Sequence, residues 1–434
     1  MTQKIHTLII GAGIAGLSAA RELHSQGMND FVILEATDKA GGRVRTCEMQ
    51  AGSGKSVTLD EGMHWIHSDN TGLPNPLTEI FQGPSFHDTM ARHVYKSGQR
   101  KRIIPIEQQT QRARTLITRH QSEPISIGDL AAREGLTNHS SLEATFGVAE
   151  TGEDITRTSV QEAGLVPRLM GDIPKGGMIQ LTKQLMRGLQ TNQLYYNQPV
   201  SRIEYYANRP MCVTTQSGEV YKADNIIITA SVGVLKTGAI VFDPPLPESH
   251  QQALNHMHMV DFNKVMLTLD EEYQLPENHN THLDVTTREG HEIFYQVKDG
   301  NQPAIVAYLG GDLGRLAEEN PERATQIVID GLKEIWPDIK LIDRAHVTRW
   351  GHEPYIKGAY SITDIGHFDA REALAQPIDG RVFFAGEACR TIEHETGRNW
   401  ATHGAGAYLS GRAAARAVLS AMPPSANENR HLQR

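Results

Sequence analysis

A lysine inside an otherwise apolar segment is the first residue whose type could do chemistry. The segment VDFNKVMLTLD, Val260–Asp270, alternates like a β-strand and places Lys264 on the same face as Phe262 and Met266. A lone charge in a strand usually marks an edge strand or a stem whose ammonium group reaches water. A buried ammonium could instead stabilise negative charge that develops in a reaction. The segment alone favours the first interpretation.

A glycine-rich turn near the N-terminus offers a second chemistry. GAGIAG follows the apolar run Ile5–Ile10 and opens a segment of helical periodicity, as a pyrophosphate-binding turn requires. Glu35 ends the next apolar run, where its carboxylate can accept hydrogen bonds from a ribose. An acid there disfavours a 2′-phosphate, which leaves FAD or NAD. The predicted dinucleotide-binding residues of this unit are Gly11, Gly13, Ala15, Gly16 and Glu35.

A glycine pair in AGGRVRT, Ala40–Thr46, distinguishes the two cofactors. Gly42 allows backbone to approach a nucleotide, and Arg43 offers a guanidinium to its phosphates. The alternative is a surface turn with a solvated arginine. Combined with GAGIAG and Glu35, the pattern resembles the flavin-containing amine oxidase family. That resemblance implies a glutathione-reductase-like fold and bound FAD.

The resemblance extends over nearly the whole chain. Other segments similar to family blocks are PKGGMIQL (Pro174–Leu181), NQPVSRI (Asn197–Ile203), IIITASVGVLK (Ile226–Lys236), FDPPLP (Phe242–Pro247), WGHEPYIKGAYS (Trp350–Ser361) and FFAGEA with THGAGAYLSGRAAA (Phe383–Ala415). The region from about His87 to Leu165 contains no such block, so the resemblance says nothing of substrate recognition there.

The resemblance also implies cofactor contacts outside the glycine-rich turn. In the family, the residue matching Val200 contacts the adenine side of FAD, the one matching Glu387 the ribityl–pyrophosphate portion, and the one matching Thr402 the flavin pyrimidine. The implied cofactor-binding residues are Gly42, Arg43, Gly62, Met63, His64, Trp65, Val200, Gly386, Glu387 and Thr402.

Lys264 gains a role from the same resemblance. FNKVMLTL is similar to the family segment whose lysine hydrogen-bonds through a water to flavin N5. His67, in DEGMHWIHSDNTGLPNP, matches a residue that faces the substrate cavity in the polyamine oxidase branch and could contact or deprotonate an amine nitrogen. The alternative is a histidine packed beside Trp65. Residues inserted between WIH and NP depart from that branch.

Aromatic residues are expected in front of the flavin. Tyr360 matches the tyrosine that forms one wall of an aromatic cage in the family, and Trp400 is expected as the other wall. Ala359 stands where monoamine oxidases have a cysteine bonded covalently to flavin, so FAD is expected to be non-covalent.

Composition restricts the class of protein. The 434 residues suggest two domains, and 39% hydrophobic with 21% charged residues is ordinary for a soluble globular protein. A net charge of −9 argues against nucleic-acid and anionic-membrane partners. Cys47, Cys212 and Cys389 form neither a disulfide framework nor a metal-ligand spacing, so no metal and a reducing compartment are expected. We therefore expect a cytoplasmic protein without a membrane span.

We predict an α/β fold in which a glutathione-reductase-like, FAD-binding Rossmann domain carries an inserted α+β substrate-binding domain. The FAD-binding domain is assigned to residues 1–75, 190–247 and 370–434, and the substrate-binding domain to residues 76–189 and 248–369. The tail after Ala421 is expected to be disordered.

The resemblance implies an FAD-dependent amine oxidase whose partners are a small-molecule amine and O2. A primary or secondary amine, with polyamines favoured, would give hydride to flavin N5; the imine would hydrolyse, and O2 would become H2O2. Glu162 and Asp172 are candidates for distant amine contacts, although both are expected to be surface acids. The alternatives are an L-amino-acid oxidase on the same fold and a flavin-bound protein without turnover. Monomer and homodimer remain open.

Overall fold

The structure is a computed structural model of the chain. It describes residues 4–52, 54–67, 74–88, 92–96, 107–136, 140–165, 171–207, 209–270, 282–298, 302–342, 344–389 and 399–421. The tail after Ala421, expected to be disordered, lies outside the described residues.

Strands and helices alternate along the described chain. The strands are β1 (Lys4–Ile10), β2 (Phe31–Leu34), β3 (Thr46–Gln50), β4 (Ser56–Asp60), β5 (Ile66–His67), β6 (Ser85–Asp88), β7 (Arg92–Lys96), β8 (Gly171–Pro174), β9 (Leu194–Tyr195), β10 (Val200–Glu204), β11 (Met211–Thr215), β12 (Val220–Ile228), β13 (Val241–Asp243), β14 (Met257–Met259), β15 (Asn263–Thr268), β16 (His282–Thr286), β17 (Glu292–Val297), β18 (Ala304–Leu309), β19 (His346–Val347), β20 (Ser361–Thr363) and β21 (Val382–Phe384). The α-helices are α1 (Ile14–Ser25), α2 (Glu107–His120), α3 (Ile127–Arg133), α4 (Ser140–Phe146), α5 (Val148–Thr151), α6 (Val160–Ala163), α7 (Ile179–Leu185), α8 (Val232–Lys236), α9 (Glu248–Asn255), α10 (Gly311–Glu319), α11 (Pro321–Ile335), α12 (Ala370–Leu374) and α13 (Gly404–Ser420), with a 3-10 helix at Pro76–Glu79.

The chain divides into two compact units, each assembled from separate stretches. Unit 1 comprises Met1–Gly42, Thr182–Leu254 and Arg371–Arg434, and unit 2 comprises Arg43–Leu181 and Asn255–Ala370. The first boundary therefore follows Gly42, whereas the sequence analysis placed it after residue 75. The physical reason is packing: the β3–β4 hairpin and Trp65 share a buried cluster with strands β15, β17 and β18 of unit 2.

Unit 1 contains a sheet whose centre is parallel. The strand order is β13-β10-β11-β12-β1-β2-β9, and β21 also pairs with β12. Strands β12, β1, β2 and β9 run parallel to one another, so their carboxyl ends meet at one edge of the sheet. Ile9, Ile33 and Ile227 are fully buried because strands covered on both faces need apolar side chains throughout. The predicted α/β class with a Rossmann-like core is confirmed.

Unit 2 is built around a mixed sheet in the order β19-β15-β18-β17-β16-β7. Strand β15 pairs with β18 on one side and β19 on the other, and all six of its residues are buried. The strand is shorter than the predicted Val260–Asp270, but its alternation is as expected: Val265 packs into one apolar cluster and Met266 into the other. The edge-strand interpretation of Lys264 is therefore wrong.

The segment without family blocks includes a small helical cluster in unit 2. Helices α2, α3, α4 and α6 share an apolar core that includes Ile117, Leu130 and Phe146. Ser126 caps the start of α3, where its Oγ accepts from Asp129 N at 2.9 Å. Among the described residues, no helix has both the length and the apolar character that crossing a bilayer requires.

Candidate active site

The glycine-rich turn lies between β1 and α1 in unit 1. Gly11 has φ +101°, and a β-carbon at Gly16 would lie 2.0 Å from Gly11 O, so both positions need glycine. Gly13 precedes the first helical residue, and Ala15 is buried in the first turn, which contains no acidic residue. The first turn of α1 therefore contributes no carboxylate of its own that would compete for its N–H groups.

Glu35 lies directly beside this turn. Its carboxylate is 7% exposed, accepts from Ala12 N at 2.8 Å through Oε2, and accepts from Thr37 N and Oγ1 through Oε1. Glu35 O accepts from Gln198 N at 2.8 Å, which brings the start of β10, at Val200, close to the acid. Unit 1 thus places the predicted ribose acid and the predicted adenine contact side by side.

A second group of predicted cofactor residues lies between β21 and α13. Glu387 is 5% exposed, and its carbonyl accepts from Thr402 N at 2.8 Å. Gly386 N donates to Ser410 Oγ at 2.9 Å, which fixes the turn to α13. Thr402 has φ +67°, and the N-cap is the following residue, His403. Trp400, the expected cage wall, is 4% exposed in the same unit and meets His403 edge to face.

Two glycines test whether a dinucleotide fits these groups. Among the described residues, a β-carbon at Gly13 would find no heavy atom nearer than Gly41 O at 4.0 Å, and one at Gly386 would find none within 4 Å. Gly42, with φ +58°, packs its backbone against Gly13. Open space beside a helix N-terminus, with a buried ribose acid, matches the requirements of FAD.

Lys264 is buried in unit 2 and held by backbone carbonyls. Its side chain is 5% exposed, and Nζ donates to Asp60 O at 2.8 Å and to Gly62 O at 2.7 Å. The ammonium also lies 5.0 Å from the centre of the Tyr308 ring. These contacts offset the cost of removing a cation from water, so the charge can be kept inside.

The turn that holds Lys264 requires a glycine. A β-carbon at Gly62 would lie 1.7 Å from Arg43 O, and Met63 N donates to that same oxygen at 3.2 Å. Arg43 Nη1 donates to Ala359 O at 2.9 Å. Unit 2 therefore brings the predicted residues Arg43, Gly62 and Met63 together beside the lysine.

His64 belongs to a buried hydrogen-bond chain on the other side of the turn. Tyr308 OH donates to Gln296 Oε1 at 3.0 Å, and Gln296 Nε2 donates to His64 Nε2 at 3.0 Å. Because Nε2 accepts, the ring proton lies on Nδ1, which faces Asp60 Oδ2 at 3.1 Å. The other carboxylate oxygen accepts from Met178 N at 2.7 Å. This series of hydrogen bonds fixes Asp60 at one end and the Tyr308 ring at the other, and both of these residues contact Lys264.

An aromatic row connects the three predicted catalytic residues. Ring centres of Tyr360 and Phe262 are 5.6 Å apart, those of Phe262 and Tyr308 6.1 Å, and those of Tyr308 and Trp65 5.6 Å. The Trp65 and His67 rings follow at 5.9 Å. Lys264 contacts this row at Tyr308, so unit 2 places His67, Lys264 and Tyr360 along one apolar wall.

Trp65 is fixed at its polar end. Its indole nitrogen donates to Asp88 Oδ2 at 2.8 Å, and His282 Nε2 lies 3.1 Å from the same oxygen. Burial raises the pKa of Asp88, but the hydrogen bond and charge of His282, with smaller contributions from Trp65 and His64, outweigh burial and hold it below the ordinary value of 3.8. A carboxylate anchor thus orients the ring that lies between Tyr308 and His67 in the row.

Three residues of this site were not predicted from the sequence: Asp60, Gln296 and Tyr308. Gln296 gave a usable signal, since it is a polar residue inside the apolar segment EIFYQV, like Lys264 in its own strand. Glu162 was expected at the surface, but it is 5% exposed and accepts from Thr363 N at 2.9 Å and Thr363 Oγ1 at 2.7 Å. Asp172 is a partly exposed acid beside His87.

Known proteins are similar to this chain over most of its length. The sequence model of the family described as flavin containing amine oxidoreductase matches residues 14–137 and 121–419. Polyamine oxidase 1 of Zea mays is 26% identical over 93% of this chain and 88% of its own. Lysine-specific histone demethylase 1B of Mus musculus is also 26% identical, over 93% of this chain and 52% of its own.

Solved structures show the same fold. A redesigned putrescine oxidase aligns with a TM-score of 0.78 over 97% of this chain and 100% of its own, at 17% identity. The wild-type putrescine oxidase bound to putrescine aligns with a TM-score of 0.76 over the same shares. With the family match covering most of the chain, the chain belongs to the flavin containing amine oxidoreductase family and is an FAD-dependent amine oxidoreductase.

Proposed function

We propose that this enzyme oxidises a primary or secondary amine, with polyamines favoured, and passes the electrons to O2 to give H2O2. The observation that carries the proposal is the buried ammonium of Lys264, held by two carbonyls beside an aromatic row. Burying a cation costs considerable free energy. Charged groups in such unfavourable positions are concentrated at sites of reaction.

Bound FAD supplies the two-electron acceptor for this chemistry. The chain's own residues prepare the amine: an apolar wall from His67 to Tyr360 disfavours an ammonium ion and so favours the neutral amine that can react. His67, at one end of the row, can contact or deprotonate the amine nitrogen. Lys264 supplies positive charge where negative charge develops.

The proposal of a polyamine substrate rests on the names of similar proteins, and the proposal that FAD is bound non-covalently rests on Ala359. The names of several matched proteins describe polyamine oxidases, at 26% identity. Ala359 offers no sulfur or other nucleophile for a covalent bond to flavin, so we propose that FAD is released when the protein unfolds.

The proposal is tested by anaerobic bleaching of the yellow holoenzyme with single reductants. Spermine, spermidine, N-acetylated polyamines, putrescine, an aryl amine and several L-amino acids form the panel. Rapid bleaching by a polyamine, with colour and H2O2 appearing when air is admitted, is the expected result. His67→Ala should keep its colour but bleach more slowly with the same amine, because the nitrogen contact is lost.

Other outcomes are equally decisive. Bleaching only by L-amino acids would assign the enzyme to the amino-acid oxidases of the same fold. No bleaching by any of these compounds would contradict the proposed substrate class. If His67→Ala bleaches at the wild-type rate with an unchanged pH profile, His67 does not contact the amine.

A further inference from the structure

We propose that unit 2 contains a Zn²⁺ site formed by Cys47, Glu61 and His346. Each offers one ligand atom, and these three atoms lie within 4.8 Å of one another. Sulfur, imidazole nitrogen and one carboxylate oxygen form a donor set that zinc accepts in open, three-ligand sites, with water in the fourth position. The site uses none of the side chains of the aromatic row as a ligand and needs no cofactor.

The three ligands are carried by rigid neighbouring elements. Cys47 lies on β3, Glu61 follows β4 of the same hairpin, and His346 begins β19. His346 pairs directly with Met266 on β15, and Cys47 Sγ lies 3.6 Å from Met266 Sδ. Both ligands thus face the same buried residue, so binding requires little rearrangement of backbone.

The carboxylate is already oriented for this role. Glu61 Oε1 lies 2.8 Å from His346 Nε2, while Oε2 accepts from Arg45 Nε at 2.7 Å. Arg45 in turn donates to Glu353 at 2.9 Å. A thiolate and a carboxylate together balance a divalent ion, and Glu353 balances Arg45, so the occupied site would be close to neutral.

The donor atoms of the site determine which ion it prefers, and its solvent exposure determines whether that ion can enter. Sulfur and nitrogen donors exclude Mg²⁺ and Ca²⁺, which prefer oxygen ligands, and favour zinc and other thiophilic divalent ions. The His346 side chain is 37% exposed and Cys47 is only partly buried, so an ion can enter from solvent.

Zn²⁺ bound at this site should affect Lys264. Glu61 lies between Asp60 and Gly62, whose carbonyls hold the lysine ammonium. An ion bound to the Glu61 side chain therefore places additional positive charge beside the turn that positions the Lys264 ammonium. We expect Zn²⁺ to slow amine oxidation, an expectation that rests on the proposed function.

Calorimetric titration of the tag-free holoenzyme with zinc chloride tests the site without using activity. We expect one Zn²⁺ per chain, with the dissociation constant raised more than about tenfold in Cys47→Ser and in His346→Asn. Cys212→Ser is the matched control, since Cys212 is also partly buried but lies on β11 in unit 1. His346→Asn keeps the test valid if Cys47→Ser fails to fold.

Equal zinc affinity in the wild type, Cys47→Ser and His346→Asn would overturn the site, and so would the absence of binding. The coupling has its own test: Zn²⁺ should inhibit the wild type and Cys212→Ser, and should inhibit Cys47→Ser only at higher concentration. Binding without such a difference removes the coupling to Lys264 and keeps the site. An inactive wild type that binds zinc would contradict the proposed function alone.

Discussion

Lys264 shows how the neighbours of one residue decide its role. In the sequence it is a charge in an apolar strand, but in the fold its ammonium is held by the carbonyls of Asp60 and Gly62 and by the face of Tyr308. His64 and Gln296 fix Asp60 and Tyr308 in turn. The charge can be kept inside because two of the residues that contact it, Asp60 and Tyr308, are themselves held by hydrogen bonds.

Replacing this residue gives a prediction at the same scale. Lys264→Met fills a similar volume but removes the positive charge. The protein should remain yellow, while its reoxidation by O2 slows by roughly 10²-fold, the size of effect that follows loss of one group stabilising developing negative charge. Stopped-flow mixing of the reduced protein with O2 measures this rate. Lys222→Met, at an exposed position on β12, should be reoxidised at the wild-type rate. If Lys264→Met is reoxidised as fast as Lys222→Met, Lys264 has no role in the reaction with O2.

At the scale of elements, helices α1 and α13 approach so closely that a glycine is needed between them. A β-carbon at Gly411 would lie 2.1 Å from Ala15 O. Helix α1 begins at the glycine-rich turn, so the packing of α1 also determines where that turn lies. Two ion pairs, from Arg412 and Arg416 to Glu22, complete this helix contact.

Gly411→Ala should therefore destabilise the protein, although alanine is normally better than glycine in a helix by about 1 kcal/mol. The clash should exceed that gain and cost about 1–3 kcal/mol in free energy of unfolding, with weaker retention of FAD. Urea unfolding followed by flavin fluorescence measures both. Ala413→Ser adds one atom at an exposed position of the same helix and should change little. A stabilised Gly411→Ala would disprove the close contact.

At the scale of the whole molecule, each unit contains a carboxylate whose ionised form stabilises the fold. Burial raises the pKa of Glu22 in unit 1, but the hydrogen bonds and charges of Arg416 and Arg412 outweigh burial and hold it below the ordinary value of 4.5. Asp88 has the same role in unit 2, with its ordinary value of 3.8 lowered chiefly by His282. A carboxyl group with a lowered pKa contributes stability above its unfolded pKa, and this contribution is lost as pH falls through the folded pKa.

The stability of the holoenzyme should accordingly fall below about pH 4.5, by about 1.4 kcal/mol for each unit of pKa lowering. Glu22→Gln removes one of these contributions. Its urea midpoint should be lower than that of the wild type near pH 7, and the difference should shrink as the pH approaches about 3. A difference that stays constant between these pH values would show that the Glu22 carboxylate is not the group that titrates.

The glycine-rich turn between β1 and α1 was predictable from the sequence because its signals are local. Gly11, Gly13 and Gly16 lie within one turn, and the strand and helix on either side follow from short apolar patterns. The same holds for the strand with Lys264, whose alternation between two apolar clusters was correctly predicted. A resemblance carried by blocks in their usual order then identified the family and FAD, which the comparisons confirm.

The surroundings of these residues depend on tertiary contacts, which sequence patterns do not show. Gln296 and Tyr308 lie on the neighbouring strands β17 and β18, whereas Asp60 ends β4 of a separate hairpin. His64 connects the two groups because the fold packs this hairpin against strands far away in the sequence, and no local pattern records such packing. Cys47 and His346 had no metal-ligand spacing for the same reason: β3 and β19 reach one site through β15. The first unit boundary also differed, because the side chains that bury the β3–β4 hairpin come from later strands. Local periodicity determines elements, whereas the partners of a buried polar side chain are set by which elements the fold brings together.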